Sequence, residues 1–393
     1  MKYFIIDNVG RWAGRKLLGL LPTTRAVFQA RAAGAREVTI LSDTPDGRTV
    51  PKGCPDDVRI GFAPLDRGEA SLTDLAQRLA AESGDQVFVM DANFIFQRDF
   101  APDAATRPEN TVFSAGGKQV AAIRVQEGAY KEDCACGRAN EIETAGGVAS
   151  AKKMLYQGLK KPLLVNGLVA AFLQRPMAHV VTVAIVNTPI RPNHVTIFAG
   201  LVGVAGAVVT LLAGSRPWMM QLGVLLYFLG SVFDCIDGDL ARLKYQFSYI
   251  GSWLDTIADD ASTAAIMFAL AFYQAQLTGD MNWFYFGAGA AGIFVLTELY
   301  IYYHLARYYH SGDVLDFQWA VGVKKRASAE SFVDYVILFF KRDFFTLLLL
   351  VLGLFQVVHA GLVYMSVLMY LFGGYVLLDV FLSLRRPGWR TRR

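Results

Sequence analysis

FDCIDGDLARLKYQFSYIGSWLDTIADD, residues 233–260, decides how this chain is read. It joins the end of one long apolar stretch to the start of the next, so it reads as two antiparallel helices with a short connection. Asp234 and Asp237 are three residues apart, and Asp255 and Asp259 four apart. At helical periodicity each pair projects from one face, and the two faces can meet. Four uncompensated carboxylates embedded in a membrane would cost roughly 10 kcal/mol or more, so a cation is expected between them. All-oxygen ligation suits Mg²⁺ or Mn²⁺, and two such ions side by side form a clamp for in-line attack at phosphorus. Arg242, one turn beyond the first pair, is placed to grip phosphate oxygens in bidentate fashion. Gly238 and Gly251 leave room for close backbone approach. These residue types point to metal-dependent phosphoryl-group transfer. Two other readings stay open: a hairpin whose acids are merely solvated, and an ion- or proton-coupled transporter using Glu298 and Asp379 as well. The second would call for discontinuous helices or paired repeats, and neither is evident in the sequence.

Outward from this stretch the chain is apolar. Six runs of membrane-spanning character follow one another at 194–214, 217–238, 251–275, 283–306, 343–358 and 361–384. Each is near the ~20 residues that a spanning helix needs, the fifth being short. Over all 393 residues only 18% are charged while 54% are hydrophobic, a membrane-protein balance. A net charge of +4 argues against a nucleic-acid partner. Of the Lys and Arg after His194, all but Arg216 fall on one side of a six-span topology. The positive-inside rule then puts both termini and the aspartates on the cytoplasmic face of the inner membrane.

The first 150 residues read differently. Short apolar runs at 3–7, 38–42, 58–62 and 86–91 alternate with amphipathic stretches at 23–35 and 70–83, the pattern of an α/β unit with a parallel, doubly wound sheet. The N-terminus is too short an apolar run for a signal peptide, so this unit is expected in the cytoplasm. Cys54, Cys134, Cys136 and Cys235 form no framework; Cys134-Ala135-Cys136 reads as two spare thiols in a loop, ahead of a soft-metal site or a redox pair. Residues 149–187 mix Lys152, Lys153, Lys160, Lys161 and Arg175 with Leu, Val and Phe, as an interfacial helix does.

The pattern D-x2-D-G-x2-A-R-x8-G-x3-D-x3-D, carried by Asp234, Asp237, Gly238, Ala241, Arg242, Gly251, Asp255 and Asp259, resembles that of the CDP-alcohol phosphatidyltransferases. The resemblance implies six membrane helices, a homodimer, two metal ions on the four aspartates and Asp259 as the base. It also implies a cytidine diphosphate site lined by Gly238, Ala241 and Arg242. TPIRPNHVT resembles the entry to the family's first span, which puts Pro192, Asn193 and Thr196 beside the nucleotide. Upstream, LKKP and QRP, with Lys160, Lys161 and Arg175, resemble the connector of inositol-phosphate-type transferases fused to a nucleotidyltransferase-like domain, and imply an acceptor-phosphate site. Asn166-Gly167 stands near the place where that subgroup has Asp-Gly; anionic headgroup binding explains the basic residues equally well. The N-terminal layout resembles sugar-phosphate nucleotidyltransferases, with Asp91 at their metal-binding position. Gly10, Arg11, Gly14 and Arg15 are kept, but the glycine-rich phosphate loop is not.

The expectation is therefore an α/β, nucleotidyltransferase- or Rossmann-like domain over 1–146, degenerate in activity. An amphipathic connector over 147–190 and an all-α polytopic domain of six transmembrane helices over 191–393 follow. The partners expected are a CDP-alcohol, a lipid or polyol-phosphate acceptor and membrane lipids.

Overall fold

Tyr3, Phe4, Ile5 and Ile6 are all buried, as a central strand covered on both faces requires. They lie in β1 (Lys2–Ile6), followed by α1 (Pro22–Ala32), β2 (Glu37–Ser42), β3 (Arg59–Pro64), α2 (Leu72–Ser83) and β4 (Val87–Asp91). The computed structural model describes every residue except 8–15, 44–49, 52, 66–70, 126–127, 135–137, 320–334, 336–337 and 386–393. The retained glycines and arginines at 10–15, and Cys136, lie outside the described residues. Contacts divide the chain into two units: Met1–Lys160 with Val186–Thr188 and Leu243–Tyr245, and the remainder.

In the first unit β5 (Phe94–Phe96), α3 (Phe100–Ala105), β6 (Thr111–Ala115), β7 (Lys118–Arg124), β8 (Lys131–Cys134), β9 (Ala139–Glu141) and α4 (Ala145–Gln157) complete the order. The seven-stranded sheet runs β3-β2-β1-β4-β7-β6-β8. Its first four strands are parallel, in register Ile5↔Ile40 and Ile5↔Met90. On one face Leu75 and Leu79 of α2 pack with Phe4, Ile6, Val87 and Val89. The all-parallel expectation fails beyond β4: β7 is antiparallel to both β4 and β6. Gly116 (φ +59°) and Gly117 (φ +78°) explain why. Two consecutive left-handed residues make the tight turn that sends the chain straight back as a hairpin, where a parallel return needs a long crossover.

The second unit is helical. α5 (Leu163–Asn166) precedes a π-helical stretch, Ala170–Gln174, which runs into α6 (Arg175–Ile185). Pro176 has no N–H to give the carbonyl four residues back, so the turn before it widens. Then come α7 (Pro192–Leu211), α8 (Pro217–Lys244), α9 (Tyr249–Thr278), α10 (Asn282–His304), and, renumbered in chain order, α11 (Arg342–Leu354) and α12 (Val358–Arg385). Among the described residues four helices are long and apolar enough to cross a membrane: 192–211, 217–244, 282–309 and 358–384. α9 is 30 residues long but carries Asp255, Asp259 and Asp260, and α11 has 13 residues. Val224, Ile266, Leu270, Ala290, Leu349 and Leu362 share one core. α7 and α8 cross at Gly206, where a Cβ would lie 2.5 Å from the Gly223 carbonyl oxygen; only glycine permits that approach.

Candidate active site

α8 ends at Lys244, the next residue, Tyr245, is left-handed at φ 54°, and α9 begins three residues later at its cap, where Ser248 Oγ accepts the Gly251 N–H at 2.9 Å. This short reversal brings the two acidic faces together. One carboxylate oxygen from each of Asp234, Asp237 and Asp255 lies within 4.8 Å of the others. Asp255 Oδ1 is buried without a hydrogen-bond partner, an arrangement that a hard divalent cation would satisfy. Thr196 donates its hydroxyl to Asp237 and thereby ties α7 to the cluster. Asp259 does not join the three. Its carboxylate pairs with Arg342 at the start of α11, and the same guanidinium donates to Asp234 Oδ2 at 2.7 Å. Arg342 thus bridges an acid of α8 and one of α9.

Arg242 and Arg175 both donate to a single oxygen, Asp239 Oδ1, at 2.8 Å. The Asp239 side chain is 4% exposed, so these are charge-assisted bonds in a mostly dry setting. Arg175 Nε also donates to Asn166 Oδ1 at 2.5 Å. Arg242 is therefore held by an acid that the motif pattern leaves unspecified, with its Nε buried and unpartnered. Of the three basic residues expected at an acceptor site, Lys161 and Arg175 line the aspartate cavity. Lys160 is exposed and groups with the first unit.

Two cavities open from the cluster. The first, about 290 Å³, is lined by Asp234, Asp237 and Asp255 and by the cations Lys161, Arg175, Arg242, Lys341 and Arg342. The Lys161 ammonium is held below the ordinary lysine range by desolvation, and then by the guanidiniums of Arg242 and Arg175. Lys341 is lowered in the same sense, by desolvation first. The second cavity, about 490 Å³, shares Asp237, Gly238, Arg242 and Asp255 and continues past Asn193, Thr196, Ala241 and Gly251. At Gly251 a Cβ would stand 2.8 Å from Asn193 Oδ1, so glycine is what lets Asn193 sit there.

Arg342, Asp239 and Gln174 are the members that the sequence does not announce. Gln174, buried in the π-helical stretch, donates to Ser231 Oγ at 3.1 Å and Thr346 Oγ1 at 3.2 Å, linking the helices that carry Asp234 and Arg342. Its signal was present as the Gln before Arg175-Pro176, but its partners are 57 and 172 residues away. Glu298 and Asp379 are buried too: Glu298 Oε2 has no hydrogen-bond partner among the described residues, and Asp379 accepts from the Tyr300 hydroxyl at 2.9 Å. In the first unit Asp91 accepts the Asn93 N–H at 2.8 Å, and burial pushes its carboxyl up to about 6.

Residues 189–372 match a family described as CDP-alcohol phosphatidyltransferase. A bifunctional IPC transferase and DIPP synthase of Thermococcus kodakarensis is 29% identical over 132 residues, 34% of this chain and 29% of that protein. An archaetidylinositol phosphate synthase of Pyrococcus horikoshii is 32% identical over 96 residues, 24% of this chain and 45% of that protein. A CDP-diacylglycerol–glycerol-3-phosphate 3-phosphatidyltransferase of Cereibacter sphaeroides is 37% identical over 83 residues, 21% of this chain and 37% of that protein. The matched stretches span less than half the length of each of these relatives.

Proposed function

From a chain that carries a CDP-alcohol phosphatidyltransferase domain over residues 189–372, we propose an integral membrane enzyme that moves a substituted phosphate group from a CDP-alcohol to an acceptor hydroxyl. The donor is CDP-diacylglycerol or a CDP-polyol, and CMP is released. The observation that carries this reading is the convergence of Asp234, Asp237 and Asp255, with an unpartnered oxygen on Asp255 and Arg242 lining the same cavity.

The four aspartates Asp234, Asp237, Asp255 and Asp259 would hold two Mg²⁺ or Mn²⁺ ions, which when bound supply positive charge to the diphosphate. Arg242, steadied by Asp239, holds phosphate oxygens. Gly238, Ala241, Gly251, Asn193 and Thr196 line the nucleotide. Asp259 takes the proton of the acceptor hydroxyl, whose oxygen bonds to the β-phosphorus as the bond from that phosphorus to the bridging oxygen breaks. CMP leaves with the bridging oxygen. Lys161 and Arg175, with Lys160 following from the connector resemblance, attract a phosphorylated acceptor or an anionic headgroup.

The same reading takes α7 to α12 as six spans, with both termini and the site at the cytoplasmic face of the inner membrane, and the chain as a homodimer. Residues 147–190 are the interfacial connector between a 1–146 domain of binding or structural role and the 191–393 enzyme. The relatives named as bifunctional favour a second reading, in which the first domain makes the CDP-alcohol from CTP. Pyrophosphate release by the full-length chain from CTP and a panel of polyol phosphates, lost in Asp91→Ala, would establish it. The main reading is tested by stoichiometric CMP release from CDP-alcohol by detergent-purified protein. A requirement for sealed vesicles and an ion gradient would overturn it in favour of transport.

A further inference from the structure

A nucleoside diphosphate has a charged half and a neutral half, and of the five Lys and Arg side chains lining the smaller cavity Lys161 and Arg242 also line the larger one. Near the aspartates the walls carry Arg242, Arg175, Arg342 and Lys341. The larger cavity is also lined by His310, Ser311 and Asp313 of the segment after α10 and by Gln246, Ser248 and Asn193. A carboxylate there repels phosphate oxygens but accepts hydrogen bonds from neutral N–H or O–H groups.

The segment is built rather than loose. Thr256, next to Asp255, donates to the Gly312 carbonyl at 2.7 Å. A Cβ on Gly312 would stand 2.6 Å from both Ser252 Oγ and Trp253 N, so the backbone lies directly on α9. Asp313 Oδ1 accepts the Leu315 N–H at 2.8 Å, which fixes the carboxylate. No further hydrogen bond or ion pair to this carboxylate forms among the described residues, the Lys161 ammonium in the same cavity acts on it electrostatically, and the side chain lines the cavity.

The geometry points to Asp313 as a specificity-determining residue that reads the hydrogen-bond donors of the nucleoside: the exocyclic amine of cytosine or the ribose hydroxyls. This rests on the proposed CDP-alcohol chemistry and adds to it a residue outside the aspartate motif. Uracil presents a carbonyl where cytosine presents the amine, so a carboxylate admits one and rejects the other.

The test is equilibrium binding of CDP, UDP and dCDP to the full-length protein with Mn²⁺, for wild type, Asp313→Ala, Asp313→Asn and Asp316→Ala. Asp316 accepts from Ser311 at 2.6 Å and so perturbs the same segment without lining the cavity. Asp313→Ala is expected to narrow the CDP preference by about 10–100-fold, the worth of a hydrogen bond to a charged group. Asp313→Asn, which can donate to a carbonyl, should gain UDP affinity, while Asp316→Ala keeps wild-type discrimination. Loss of CDP-over-UDP preference assigns the amine, and loss of CDP-over-dCDP preference assigns the ribose. Discrimination unchanged in both comparisons overturns the inference and leaves the transferase reading standing. Failure of the wild type to bind CDP at all overturns the transferase reading itself.

Discussion

Asp239→Asn tests the electrostatic frame of the site. In the native chain one oxygen of Asp239 takes two guanidinium bonds of 2.8 Å, from side chains only 15% and 14% exposed. Asparagine keeps the shape and an acceptor oxygen but removes the negative charge, leaving Arg175 and Arg242 as desolvated cations facing each other. Breaking a buried pair by removing one partner costs about 3–5 kcal/mol. The two bonds share an oxygen, so their losses do not add, and the neighbouring cavity admits water, so the low end, about 3 kcal/mol, is expected. At ~2–4 °C per kcal/mol for a unit of this size, the unfolding midpoint in detergent should fall by roughly 6–12 °C. Because Arg242 also loses its anchor, KM for the CDP-alcohol should rise about 10-fold or more, and added salt should soften the stability loss. A midpoint within 2 °C of wild type together with an unchanged KM, against the ~6 °C expected, would refute the claim that this oxygen holds both arginines in place.

Asp255→Asn should abolish CMP release and weaken Mn²⁺ binding, followed by electron paramagnetic resonance, by at least about 10-fold. Asp259→Asn should lower kcat by about 10²–10⁴ while CDP binding persists, and loss of binding in parallel with kcat would count against its role as the base. Asp91 offers a pH-dependent test in the other unit. Burial raises its folded pKa to about 6, above the unfolded ~3.9, so the acid favours folding below pH 4 and that contribution is lost as pH rises through 6. The full penalty is about 3 kcal/mol at pH 8. Asp91→Asn should therefore protect the first unit from proteolysis strongly at pH 8 and much less at pH 4.5, where the penalty is only about 1 kcal/mol; equal protection at both pH values would contradict it.

What could be read in the sequence was what depends on nearby residues. The three- and four-residue spacings of Asp234/Asp237 and Asp255/Asp259 carry their geometry within a single helix turn, so the meeting of two acidic faces followed from periodicity. The four strands from 3 to 91 were visible as short apolar runs for the same reason. Arg342 could be counted as a cation but not paired, since its partner Asp234 is 108 residues away and only the packing of α11 joins them. Asp239 stands in plain view between Asp237 and Arg242, yet it is two residues from the first and three from the second, so it lies off the face of the motif acids. The Gly116-Gly117 doublet was the legible sign of a hairpin, and it outranks the strand–helix alternation that suggested a wholly parallel sheet.

On the proposed six-span reading, the brevity of α11 has a consequence for the lipid around it. Thirteen residues rise about 20 Å, some 10 Å less than a typical hydrocarbon core. A helix this short, with Arg342 at one end, meets the bilayer only where the bilayer comes to it. The surrounding chains must thin, or polar headgroups and water must dip toward the Arg342 end. Hydrophobic mismatch at one helix would thus wet the aspartate cavity while its neighbours remain in oil. Acyl-chain length would then become a control on the proposed enzyme, with short-chain bilayers relaxing the dimple and long-chain ones deepening it.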